Sequence, residues 1–183
     1  METCQVNIEK ALSIPGWMSS QELTWLASKA KECDIIVEFG SFCGRSTRAL
    51  ADNTDGIVYA VDPWNVDYFT EQGTVLEGVN TFVLPQFIEN LREHVESGKV
   101  IPVRNFSYNF KCSSLVDMVF IDGDHRYNIC KKDILVALTN TKYGGIISGH
   151  DYGQSGWPGV KQAVDEFFPN AQIEDTIWWT KKS

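Results

Sequence analysis

Nothing in this 183-residue chain is apolar for long enough to span a bilayer. Its longest apolar runs, Ile35-Ile36-Val37 and Val116 to Ile121, fall far short of the ~20 residues a span requires. Met1-Glu2-Thr3-Cys4 also lacks the basic and apolar pattern of a secretory signal. These absences predict a cytoplasmic protein without a membrane partner. Positive charge is scarce too: 16 Lys and Arg against 24 Asp and Glu leave a net charge of −8, with no clustered basic stripe. Such a surface repels a phosphate backbone, so no nucleic-acid partner is expected. The 5 cysteines are odd in number, scattered and without a Cys-x-x-Cys pair, which argues against a disulfide framework and a thiolate zinc site. Reduced, packed thiols are expected instead. No repeat, low-complexity tract or Pro/Gly/Ser-rich linker divides the sequence, which predicts one domain over residues 1–183 with 1–18 as an N-terminal extension.

What the chain does contain is an alternation of apolar strands and amphipathic helices. Ser19, with Glu22 three residues on, makes a capping box ahead of Leu23, Leu26, Ala27 and Ala30, predicting a helix to about Glu32. Asp34 to Phe39 is a short β-branched strand ending in Gly40, and a polar turn leads into a helix over Arg45 to Asp52. Ile57 to Val61 is a second strand, stopped at Asp62-Pro63 because proline cannot continue a central ladder. Asn65 to Asn80 has no clean period, whereas Phe82, Phe87, Leu91 and Val95 suit one helix closed by Ser97-Gly98. Strands follow at Val100 to Val103 and Leu115 to Ile121, then a helix at Tyr127 to Leu138. Gly144-Gly145 turns into a strand at Ile146 to Ser148, Val160 to Phe168 is a further helix, and Ala171 to Thr180 reads as an antiparallel hairpin around Glu174-Asp175. The alternation implies an α/β fold with a mostly parallel sheet covered on both faces.

In such a sheet ligands bind outside the carboxyl ends of the strands, so strand-terminal residues carry the chemistry. The first strand ends in Glu38-Phe39-Gly40-Ser41-Phe42-Cys43-Gly44-Arg45-Ser46, with glycines where the chain turns tightly and a ligand can approach the backbone. Asp62 ends the second strand, placed to take hydrogen bonds from ribose hydroxyls. Gly40 and Gly44 do not make the G-x-G-x-x-G of a dinucleotide site, and Glu38 repels a pyrophosphate but can pair with an ammonium. An amino-acid-bearing nucleoside therefore fits better than NAD. The fourth strand ends in Asp122-Gly123-Asp124-His125 and the fifth in Gly149-His150-Asp151-Tyr152. If those strands are neighbours, Asp122, His150 and Asp151 could surround a divalent cation, with Asp124 or His125 accepting a proton; capping and solvated loop polarity is the alternative reading.

These four segments, with Gly159-Val160-Lys161-Gln162-Ala163-Val164-Asp165, resemble a class I S-adenosylmethionine-dependent methyltransferase over about Ser19 to Lys182. More narrowly, they resemble small O-methyltransferases that include macrolide-sugar and aminocoumarin-sugar enzymes. The resemblance implies a Rossmann-like, doubly wound, seven-stranded sheet whose last strand is antiparallel. It implies that Glu38 faces the methionine ammonium, that Gly40, Ser41, Gly44 and Ser46 bed the methionine, and that Asp62, Pro63 and Trp64 lie by the ribose. It further implies a divalent cation, magnesium first, at Asp122, His150 and Asp151, and a catalytic base at Asp124 with His125 beside it. His150 could be ligand or base. Where relatives often carry Gly-Asp-Ser after the third strand, this chain has Asn105-Phe106-Ser107, so Phe106 stacks on adenine or the contact is through backbone only. The acceptor would be a hydroxyl of a small molecule, a sugar among the candidates, held by Trp64 to Asn80, Tyr152 to Pro158 and residues Met1 to Met18.

Three other readings stay open at this level: a dinucleotide-dependent oxidoreductase, a catalytically silent cofactor-binding module that recognises a partner, and methyl transfer to nitrogen or carbon without a metal. Trp64 and Trp157 either floor the adenine or acceptor or pack on the surface. Trp178 and Trp179 alternate along the last strand, one toward the core. If that strand is unshielded, the pair could support a homodimer. His94 sits near a helix C-terminus, where a cation is favourable without any chemistry.

Overall fold

The computed structural model describes residues 5–64 and 83–183. Seven strands form one sheet in the order β3-β2-β1-β4-β5-β7-β6: β1 (Ile35–Phe39), β2 (Ile57–Asp62), β3 (Val100–Arg104), β4 (Val116–Ile121), β5 (Thr141–Gly149), β6 (Gln172–Glu174) and β7 (Ile177–Lys181). The first five run parallel, and β7 pairs antiparallel with both β5 and β6. The chain builds outward from β1 to β3, then crosses back to place β4 on the other side of β1. The reversal between β1 and β4 is the topological switch point where this architecture opens a crevice.

Alternate residues of each central strand feed two cores, as the period of two requires. Ile36, Met118 and Phe120 face one layer with Val58 and Ala60; Val37, Phe39, Val119 and Ile121 face the other. The first layer is covered by α1 (Glu9–Ser13), α2 (Ser20–Ala30), α3 (Arg45–Ala51), α4 (Val83–Asn90) and α5 (Arg92–Glu96), and the second by α6 (Tyr127–Asn140) and α7 (Pro158–Phe167). The capping box forms as expected: Glu22 N donates to Ser19 Oγ, and Ser19 N donates to Glu22 Oε2 at 2.7 Å.

Three expectations differ from the fold. The helix expected through Phe87 and Val95 breaks at Leu91, because the Asn90 carbonyl is drawn to Arg48 Nη1 and both His94 N and Val95 N turn to Leu91 O. Phe82 and the stretch Asn65 to Asn80 lie outside the described residues. The fifth strand starts at Thr141 rather than Ile146; a left-handed Gly144 and a register shift between Val116 and Met118 absorb the glycine pair within the strand. The last strand is not unshielded, since β7 lies between β5 and β6. Trp178 is buried, Trp179 sits under the Lys29 ammonium at 4.7 Å, and both are spoken for within the chain. His94 pairs with Asp52 at 2.7 Å.

Candidate active site

The loop after β1 is shaped by contacts that only glycine permits. Gly40 has φ 88°, and a Cβ on it would stand 2.1 Å from Asp122 O, so the loop lies directly against the end of β4. Gly44, at φ 92°, clears Leu91 instead and lets α4 pack beneath the loop. Asp62 holds the loop in place: its Oδ2 accepts from Ser41 N and Phe42 N at 2.9 Å each, and its Oδ1 from Trp64 N at 2.6 Å. These bonds also fix Phe42 and Trp64, both at positive φ. Burial raises the Asp62 carboxyl to about 6, against the pull of the three amides. A carboxylate offers about four acceptor positions, so one remains for a hydroxyl.

Glu38 is fully buried beneath this loop. Burial pushes its carboxyl up to about 7, opposed by the nearby hydroxyls of Ser46, Thr47 and Ser41. Thr47 Oγ1 donates to its Oε2, whereas Glu38 Oε1 and Ser41 Oγ have no hydrogen-bond partner among the described residues. Orphaned acceptors at this depth fit a cationic or donor-bearing group arriving through the loop.

A cavity of about 350 Å³ opens outside the strand ends at the switch point. Gly40, Ser41, Ser46, Asp62, Pro63, Phe106, Ser107, Asp122, Asp124, His125, His150 and Asp151 all line it. Three residues expected at the cofactor do not: Glu38 lies under the loop, Gly44 ends the loop against Leu91 and Phe87, and Trp64 is buried against Phe87 at 5.0 Å with its indole N–H donated to Phe42 O. Trp157 does line the cavity, stacked on His125 at 4.3 Å. The extension supplies a further wall, Pro15 to Met18, which Arg45 secures through Nε to Met18 O at 3.0 Å and Nη1 to Ile14 O at 2.9 Å. Trp17 stands at this lip beside Phe42, ring centroids 5.1 Å apart.

At the ends of β4 and β5, which are indeed neighbours, ionisable groups converge. His150 Nδ1 lies 3.3 Å from Asp122 Oδ1 and 3.2 Å from Asp151 Oδ2, and its Nε2 meets Glu22 Oε1 at 2.9 Å. Burial disfavours the imidazolium, but Asp122, Asp151 and Glu22 outweigh it and raise His150 to about 12. Glu22 shows the same balance reversed: burial raises it, while bonds from His150, Thr176 and the Ser19 amide bring it down to about 2. Asp151, at φ 62°, also binds His125 Nε2 at 2.7 Å.

The gathered donors differ from the predicted metal set. Asp122, His125 and Asp151 offer donor atoms all within 4.8 Å of one another, a mixed oxygen and imidazole set suited to a divalent cation. His150 instead spends both ring nitrogens on carboxylates, because Glu22 approaches it from α2. Asp124 departs from its expected role as base: the Arg126 guanidinium and amide bind its carboxylate, at 2.8 Å for Nε to Oδ2. His125 lines the cavity with its Nε2 held by Asp151.

Two groups escaped the sequence reading. Glu22 was accounted for by its capping box, which hid the second oxygen turned to His150. Asp133 interrupts the apolar face of α6 with no motif around it, yet it is fully buried and takes the Ser107 hydroxyl at 2.6 Å.

A family model described as a methyltransferase domain matches residues 37–152, from β1 through the end of β5. The chain belongs to that family. It is a class I S-adenosylmethionine-dependent methyltransferase, and the strand order with an antiparallel β7 is the order of that class. No curated protein matches the sequence of this methyltransferase. Among solved structures, the O-methyltransferase TomG of Streptomyces achromogenes, involved in tomaymycin synthesis and solved in complex with S-adenosylmethionine, superposes with a TM-score of 0.62 at 14% identity, covering 96% of this chain and 86% of that one. A candidate O-methyltransferase of Klebsiella pneumoniae gives 0.62 at 17% identity over 94% and 84%. A candidate rRNA methylase of Clostridium thermocellum gives 0.64 at 16% identity over 91% and 100%. At these identities the methyltransferase shares their fold, and the acceptor is a separate question.

Proposed function

We propose that this methyltransferase acts on a hydroxyl of a small molecule, a sugar hydroxyl among the candidates, with a divalent cation assisting. The observation that carries the reading is the meeting of Asp122, His125 and Asp151 at one edge of a cavity that the glycine loop also lines. S-adenosylmethionine, when bound, supplies an electrophilic methyl group on a sulfonium. The chain's contribution is alignment and proton management. Gly40 and Ser41 line the cavity where the methionine end would lie, and the orphaned Glu38 and Ser41 oxygens lie beside it. The free acceptor position on Asp62 suits a ribose hydroxyl, and Phe106 offers a face to adenine. Asp122, Asp151 and His125 would hold the cation, which would lower the pKa of a hydroxyl beside it. Glu22 keeps His150 oriented so that its positive charge stays between the two aspartates. The acidic chain disfavours a nucleic-acid acceptor.

Calorimetric titration with S-adenosylmethionine and, in parallel, NAD, followed by labelled methyl transfer into hydroxylated metabolites with magnesium or chelator, tests this. Binding of S-adenosylmethionine alone and chelator-sensitive O-methyl product are expected. Asp151→Ala should lower kcat at least ~100-fold while cofactor affinity changes less than about threefold. Turnover that persists in chelator, or label on nitrogen or carbon, would overturn the metal-assisted hydroxyl reading. Binding without any turnover would favour a silent module.

A further inference from the structure

Two contacts of different kinds hold the His125 ring. Asp151 Oδ2 meets its Nε2 at 2.7 Å, and the Trp157 indole lies over it with centroids 4.3 Å apart and planes 22° from parallel. A hydrogen bond to one nitrogen fixes a point and leaves the ring to tilt about it, whereas a stacked neighbour fixes the plane. The lone pair of an imidazole nitrogen lies in that plane, so the tilt decides where it aims.

The chain around the indole is built to seat it there. Trp157 precedes Pro158, the first residue of α7, and the proline ring confines its backbone; its amide is donated to Gln154 O at 3.0 Å. Two residues on, Gly159 closes against the loop that carries His125: a Cβ on it would stand 2.5 Å from both His125 O and Tyr127 N. Gly156, in the same turn, has nothing within 4 Å. The glycine that makes contact is therefore the one that brings the start of α7 onto the imidazole. We propose that Trp157 is a positioning residue for the cation site: by setting the plane of His125 it keeps a ring nitrogen directed at the space shared with the Asp122 and Asp151 oxygens. Donor atoms of those three residues all lie within 4.8 Å of one another. A carboxylate that turns still offers one of two oxygens, each with more than one lone pair, but an imidazole nitrogen has a single lone pair and a single direction. Of the three donors, His125 is the one that most needs a second support.

The inference rests on the cation reading given above. Manganese titrated into the chelator-treated methyltransferase, followed by the electron paramagnetic resonance of the free ion, tests both. Asp151→Ala sets the baseline, since it removes this site and leaves any ion held elsewhere. Trp157→Leu, apolar but without a flat face, should weaken manganese binding about tenfold, and Trp157→Phe, which keeps a stacking ring, should stay within about threefold of the unmodified protein. Gly159→Ala should weaken it in the same sense with the indole unchanged, and Gly156→Ala should not. Affinity for S-adenosylhomocysteine should hold within about threefold in every Trp157 and glycine variant, a split that general loosening of the fold would not produce. Unaltered manganese binding in Trp157→Leu would overturn the proposal alone, as would Trp157→Phe binding as weakly as Trp157→Leu. Loss of S-adenosylhomocysteine in step with the metal would also overturn it, making the indole a wall for the nucleoside. An unmodified protein that binds no more manganese than Asp151→Ala would bring down the cation reading and the proposal with it. If Trp157→Leu fails to fold, the two glycine variants decide.

Discussion

At Gly40 two constraints coincide, a left-handed φ of 88° and an Asp122 carbonyl that would stand 2.1 Å from an added Cβ. Gly98 has the first constraint without the second, with φ 77° and open space around it. Gly98→Ala should therefore cost about 1 kcal/mol, the penalty of the backbone conformation alone. Gly40→Ala adds a backbone collision that no side-chain rotation relieves, so it should cost at least ~2 kcal/mol more and abolish binding of S-adenosylmethionine. Urea denaturation of both variants measures the difference, and equal costs would mean that the loop can move off β4. The Asp62 carboxylate makes a parallel case, since Ser41, Phe42 and Trp64 all depend on it for their amides. The ribose role read from the strand-end position and the loop-holding role seen in the fold fall on the same two oxygens.

Among the elements, the wall from Pro15 to Met18 is pinned by one side chain at the start of α3. Arg45 reaches the carbonyls of Leu12, Ile14 and Met18. Arg45→Ala should leave the sheet intact but free this segment, seen as faster hydrogen exchange at residues 8–18 with little change at β1 or β4; unchanged exchange would show that Ala11, Ile14 and Met18 hold it by burial alone. Elements of this kind mark the boundary of what a sequence discloses. β1, β2 and β4 are legible because each is a short apolar run bounded by glycine, proline or acid, and the strand ends follow from them. The capping box at Ser19 and Glu22 is legible because it is local. The break at Leu91 is not, since its cause, Arg48, lies on another helix. Nor is the pairing of His150 with Glu22, because it depends on which way a helix-capping carboxylate turns its second oxygen. Local pattern carries to the end of each strand; which neighbour has already claimed a side chain is a matter of tertiary geometry.

For the molecule as a whole, buried carboxyls set the response to pH. Glu38, Asp62 and Asp133 have ordinary values of 4.5, 3.8 and 3.8, and burial raises them to about 7, 6 and 7. Between about pH 4 and 7 the folded chain thus holds more protons than the unfolded one, and stability falls as pH rises through that window. His150, raised from 6.5 to about 12, prolongs the decline on the alkaline side. Glu22 acts in the opposite sense: held at about 2 against 4.5, its contribution is complete above pH 4.5 and is lost as pH falls toward 2. The unliganded methyltransferase should be most stable near pH 5, with a lower urea midpoint at pH 7.5 than at pH 5; a rising midpoint would mean that the buried acids are ionised in the fold.

The reach of Glu22 has a kinetic side. Its partners His150 and Thr176 lie 128 and 154 residues further along the chain, far beyond the span of any strand–helix–strand unit. Loops of that size close late in folding, after local helices and adjacent parallel pairs have formed. During renaturation the ellipticity of the helices should therefore recover ahead of the capacity to bind a nucleoside.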